Sequence, residues 1–173
     1  MQNVTDILSD EHRNIMGVIE LILNECEEIE KGKAIDAAFF EQAIDFIKNY
    51  ADKFHHAKEE DILFIAMLEN EDCMHCNPVP VMLHEHEEGR DFVRGMEDGL
   101  SGSDKEKVIE NARGYSFLLM DHIYKEDHIL YPMAEQAIPE EEKEKILLQY
   151  DAVLKEHNTG GRISSYLNLL ARA

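Results

Sequence analysis

The chain has 173 residues, 44% hydrophobic and 31% charged, which suits one domain with a real core and argues against disorder. Its 37 acidic and 17 basic residues give a net charge of −20, which repels nucleic acid and anionic membrane surfaces, and no basic cluster offsets it. No apolar run approaches the ~20 residues needed to cross a bilayer, and the N-terminus carries no basic-then-apolar signal. Three cysteines make no secreted disulfide framework, so the expected compartment is the cytoplasm.

Asn3 or Thr5 offers a cap for a first helix over about residues 4 to 31. Its stripe Leu8, Ile15, Ile19, Ile22, Cys26 and Ile29 is broken only by His12, and Gly32 stops it. A second helix starts near Ala34 or Asp36 and runs to Glu69. Along Phe40, Ile44, Ile47, Ala51, Ile62 and Ala66, it is interrupted by His55 and Glu59, one turn apart on one face. His56 and Glu60 repeat that spacing one position on, rotated toward the helix side, which puts His56 at the edge of the core.

Asn70 to Pro80 reads as a loop, and a third helix follows to about Gly99. Its stripe is Met82, Gly89, Val93, Met96 and Leu100, with His86 on the buried line and His84 roughly opposite. Ser103 or Asp104 then caps a fourth helix whose stripe is Val108, Ala112, Tyr115, Leu119, Ile129 and Met133. His122 and Glu126 interrupt it at the same four-residue step, and Pro132 and Pro139 punctuate its end.

A tail helix from Glu140 to Lys155 carries Ile146, Leu147, Tyr150, Val153 and Leu154. Gly160 and Gly161 break it before a short last helix, Ile163 to Ala171. With no alternating Val/Ile/Thr-rich run, the expected fold is all-α. Short links between four long helices predict an antiparallel up-down-up-down four-helix bundle over residues 1–138. Residues 139–173 form an additional C-terminal helical segment packing on the same domain. One internal echo stands out. Lys58 to Phe64 (KEEDILF) resembles Lys125 to Tyr131 (KEDHILY), which sets His55 against His122 and Glu59 against Glu126.

Each of the four helices thus places a polar group where an apolar stripe should continue. Burying such groups unpaired costs several kcal/mol apiece, and a bound metal pair removes that cost. Imidazole plus carboxylate without thiolate suits iron, manganese or zinc better than magnesium or calcium. Four imidazoles and two carboxylates are too many for one zinc and suit two metals with bridging carboxylates. The Glu-x-x-His step of ferritin-like bundles does not occur in this chain.

The pieces Glu11-His12, His55-His56 with Glu59-Glu60, Met82 to Arg90 containing His86, and His122 with Glu126-Asp127 resemble the hemerythrin-like, or HHE cation-binding, domain family. The resemblance covers about residues 5 to 133. It implies a four-helix bundle holding two non-haem iron ions, bridged by an oxo or hydroxo species and two carboxylates. Carried over by motif, the ligands are His12, His55, Glu59, His86, His122 and Glu126. His56 stands where some relatives supply a further one. The chain departs from the oxygen-carrying hemerythrins: its third helix lacks their His-x-x-x-His. Its fourth helix has Glu126 where they use an Asp one residue later, the place of Asp127.

The expected function is binding or reduction of a small ligand (oxygen, nitric oxide or peroxide) at this centre, with no separate catalytic residue. The alternative is an iron, oxygen or redox sensor, or an iron-handling module without turnover. Expected partners are that small ligand and a second copy of the chain or a redox protein, with neither nucleic acid nor membrane. Cys73, Met74, His75 and Cys76 sit on a loop and offer at most a redox or metal-delivery point. Cys26 reads as core, and Tyr115 as core or as a hydrogen-bonding neighbour of the iron. His75, His84, His128 and His157 read as exposed.

Overall fold

The computed structural model describes residues 3–158, all its regular structure is helical, and it contains no strand there. The glycine pair and the last helix expected at 163–171 lie outside the described residues. Helix α1 is Val4–Glu30. It ends at Gly32, whose φ of +109° is a conformation that favours a residue without Cβ. Helix α2 spans residues 37–69, α3 is Val79–Ser101, α4 spans 105–137 and α5 is Glu140–His157. No helix among the described residues is long and apolar enough to cross a membrane.

Asp36 and Asp104 cap α2 and α4, accepting hydrogen bonds from the Phe39 and Lys107 amides. Thr5 is not a cap: its hydroxyl and amide both donate to Glu135, tying the start of α1 to the end of α4. Helices α3 and α4 approach closely at Gly99. A Cβ there would come 2.8 Å from the Val108 side chain and 2.9 Å from its backbone nitrogen.

Helices α2 and α4 are not uniform. The amide of Phe64 reaches back five residues to the Glu59 carbonyl, and that of Tyr131 five to Glu126. The same wide turn occurs upstream in α2, from Ala57 to Asp52. Each wide turn holds one residue more than an α-turn and rotates everything after it. The predicted stripe shifts there for this reason, although Ile62, Ala66 and Met133 stay buried. Ile129 is half exposed, and Leu130 takes its place on the buried line. In α2 the residues buried most completely past the wide turn are Leu63 and Met67.

The core forms two apolar clusters with a polar layer between them. One gathers Ile15 to Ile29 of α1, Phe40 to Phe54 of α2, Val93 and Met96 of α3, and Val108 to Ile123 of α4. The other gathers Val4 and Leu8, Ile62 to Met67, Val79 and Met82, Leu130 to Ile138, and Ile146 and Tyr150 of α5. Glu11, His12, His55, His56, Lys58, Glu59, His86, His122 and Glu126 fall between the two and are all buried. Helix α5 contributes Ile146 and Tyr150 while Leu154 stays exposed, so the tail helix buries a narrower stripe than expected.

Candidate metal centre

The seven predicted ligands converge in this layer. His56, Glu59, His86 and His122 offer ligand atoms within 4.8 Å of one another, and so do His12, His55, Glu59 and Glu126. Glu59 belongs to both groups. Glu126 also reaches both, with Oε2 at 3.3 Å from His12 Nε2 and Oε1 at 3.1 Å from His122 Nε2. His56 is fully inside the site rather than at its edge: its ring stacks on His86 at 3.8 Å. The extra residues in the wide turns of α2 account for that, because they carry His56 toward the core.

Every one of the five imidazoles has a carboxylate at Nδ1. Asp127 lies 3.0 Å from His12, Glu11 2.9 Å from His55, Glu60 2.7 Å from His86 and Glu85 2.8 Å from His122. Asp52 lies 3.4 Å from His56. Such partners fix the ring orientation and leave Nε2 as the free donor. Nε2 of His86 and Nε2 of His122 meet at 3.0 Å, and those of His55 and His86 each lie 3.6 Å from Glu59 Oε2. Asp127 therefore holds the His12 ring and does not join the seven.

The outer carboxylates are themselves held. Lys58 pairs with Glu11 and Lys125 with Glu85. Arg90 bonds both Asp52 and Glu60. Sequence spacing does not reveal these pairs, because their partners lie on other helices. The signal that was available is the repetition of Glu-His at Glu11-His12 and Glu85-His86, and of Lys-Glu at Lys58-Glu59 and Lys125-Glu126.

The buried groups of the layer shift one another's protonation in opposite directions. Burial, reinforced by neighbouring imidazoles, pushes His55 and His56 well below the usual histidine value, so both are neutral donors. Burial opposes charge on His12 too, but its bond to Asp127 and its contacts with Glu126 lift it to about 10. Against the same penalty, the field of Glu126 lifts His122 to about 9. Burial and repulsion from Glu126 push Glu59 well above the carboxylate range. Despite burial, His122 and His12 hold Glu126 well below it. Glu59 Oε2, both Glu126 oxygens and His56 Nδ1 are buried without a hydrogen bond. Buried orphan lone pairs are costly. Facing carboxylates and imidazoles at these separations suit a bound cation.

The other residues singled out in the sequence fall elsewhere. Cys26 is core, Cys73 and Cys76 are exposed free thiols, and His75, His84 and His128 are exposed. His157 is half-buried against Phe54 rather than exposed, because α5 folds back over α2. Tyr115 is buried with no partner for its hydroxyl, and it lines a cavity of about 260 Å³ beside His56, His86 and Arg90. Tyr131 has no place in the sequence-derived site, yet its hydroxyl donates to Glu59 Oε1 at 2.5 Å and lies 3.2 Å from His12 Nε2.

Comparison with curated proteins and with solved structures gives no match. The family profile of the hemerythrin HHE cation-binding domain matches residues 3–134, which is most of the chain and contains all seven converging side chains. The chain belongs to the hemerythrin HHE cation-binding domain family.

Proposed function

We propose that the polar layer holds two iron ions and that the protein binds or reduces a small ligand, such as oxygen, nitric oxide or peroxide, at that pair. The observation that carries this reading is the set of orphaned carboxylate oxygens facing five imidazoles, four of which have Nδ1 already bonded to a carboxylate. His56, His86 and His122 would hold one ion and His12 and His55 the other, with Glu59 and Glu126 spanning both. That gives five protein donors on one side and four on the other. When bound, the pair supplies electrons and a coordination position for the incoming ligand. The chain's own part is to orient the imidazoles through their Nδ1 partners, to neutralise the cations with two shared carboxylates, and to exclude water with an apolar cluster on either side.

The alternation of helix ends between the two clusters supports an antiparallel up-down-up-down bundle around the pair. Helix α5 would pack on it as an extension of the same domain. The test is anaerobic loading with ferrous iron followed by addition of oxygen, nitric oxide or peroxide. Two irons per chain with ligand-dependent spectral changes are expected; an iron pair inert to all three would remove the ligand-binding reading.

A further inference from the structure

The site has an internal two-fold relationship. Glu11-His12 corresponds to Glu85-His86, His55 to His122, Lys58-Glu59-Glu60 to Lys125-Glu126-Asp127, and Phe64 to Tyr131. The contacts obey it. His55 to Glu11 to Lys58 matches His122 to Glu85 to Lys125. His12 on Asp127 matches His86 on Glu60. Tyr131 stacks on His12 with an interplanar angle of 9°, and Phe64 stacks on His86 at 17°.

The symmetry is broken at two places. His56, a donor to the three-histidine side, has Ile123 as its counterpart. The two-histidine side thus lacks one donor, and on that side alone the aromatic ring carries a hydroxyl. That oxygen is 3.2 Å from His12 Nε2 and 2.5 Å from Glu59 Oε1. Donors at right angles on one ion with bonds near 2.1 Å are about 3 Å apart. The pair His86 Nε2 and His122 Nε2, at 3.0 Å, shows the same spacing on the other side.

The geometry points to Tyr131 as a further metal ligand, binding through its phenolic oxygen to the ion held by His12 and His55. This rests on the two-ion reading above. Coordination breaks the phenolic O–H bond, forms an oxygen–metal bond in place of the hydrogen bond to Glu59, and releases the proton to solvent. A cation beside the phenol favours its ionised form. With Tyr131, each ion would be held by five protein side chains.

The experiment compares wild type with Tyr131→Phe, each loaded with iron and oxidised to the ferric state, by metal analysis, visible absorption and resonance Raman. Phenylalanine suits the place, because Phe64 already fills the equivalent one. Wild type should show a phenolate-to-iron charge-transfer band with enhanced tyrosine ring modes, shifted by ring-deuterated tyrosine. Tyr131→Phe should keep two irons and lose the band, while Tyr115→Phe and Tyr150→Phe retain it. Two irons in wild type without tyrosine modes, or modes that survive in Tyr131→Phe, would overturn the assignment while leaving the iron pair standing. Absence of an iron pair would overturn both.

Discussion

Lys58 and Glu11 form an ion pair almost wholly buried between α2 and α1, and the second oxygen of Glu11 receives Nδ1 of His55 at 2.9 Å. Lys58 Nζ also lies 3.7 Å from the centre of the Phe54 ring. Burial lowers the lysine pKa and raises that of the glutamate, with their mutual attraction opposing both shifts. Removing one partner strands the other charge in the core. Lys58→Met should therefore destabilise the chain by about 3–5 kcal/mol. The double variant with Glu11→Gln should recover a large part of that loss, as measured by chemical denaturation. A single variant within 1 kcal/mol of wild type, on the order of an exposed pair, would show that Lys58 is free to reach water.

The outer carboxylates orient the imidazoles. Glu85→Ala leaves His122 without its 2.8 Å partner and Lys125 without one of its two carboxylates. Losses of about 10- to 100-fold in metal affinity are typical for such changes. That range is expected for Glu85→Ala in competition with a chelator, and Glu85→Gln should be milder because an amide oxygen still accepts from Nδ1.

How much of this was legible beforehand depends on whether partners share a helix. His55 with Glu59 and His122 with Glu126 share one, so a four-residue step exposed them. His12 and His86 followed from interrupted stripes. His56 was misplaced to the edge because regular helix geometry has no room for the extra residue of a wide turn, and the same error put Ile129 on the buried face. The partners of Glu11, Glu85, Glu60 and Asp52 are not legible in the sequence, because each serves a histidine or basic residue on another helix or one outside the stripe. Tyr131 was missed for a subtler reason. Its alignment with Phe64 was in view, but only the stacking on His12 and His86 shows that the two rings occupy equivalent places.

Glu135 couples the tail to the bundle. It accepts from the Thr5 amide and hydroxyl and pairs with Lys143 of α5 at 2.9 Å. Burial opposes its charge, yet Lys143 and Thr5 outweigh burial and hold the carboxyl below its usual value. A depressed carboxylate stabilises the fold at pH above its unfolded value and loses that contribution as pH falls through the folded one. In metal-free protein, Glu135→Gln should lower stability at neutral pH and flatten the acid side of the stability–pH curve. An unchanged acid slope would remove this residue from the account.

Gly99 sets the spacing of α3 and α4. An added Cβ would meet Val108 backbone as well as side chain, and backbone cannot swing away. Gly99→Ala should destabilise by about 1–3 kcal/mol despite alanine's better helix propensity. A rise in the thermal midpoint would mean that the two helices part at no cost.

The central claim is that Glu59 and Glu126 share two ions between five histidines. The most direct test is iron content per chain, measured after anaerobic loading and desalting, for wild type and for Glu126→Ala. Two irons in wild type and loss of both in the variant are predicted, because the removed carboxylate faces histidines of both groups. A single zinc with no iron in wild type, or two irons retained without Glu126, would contradict the shared centre.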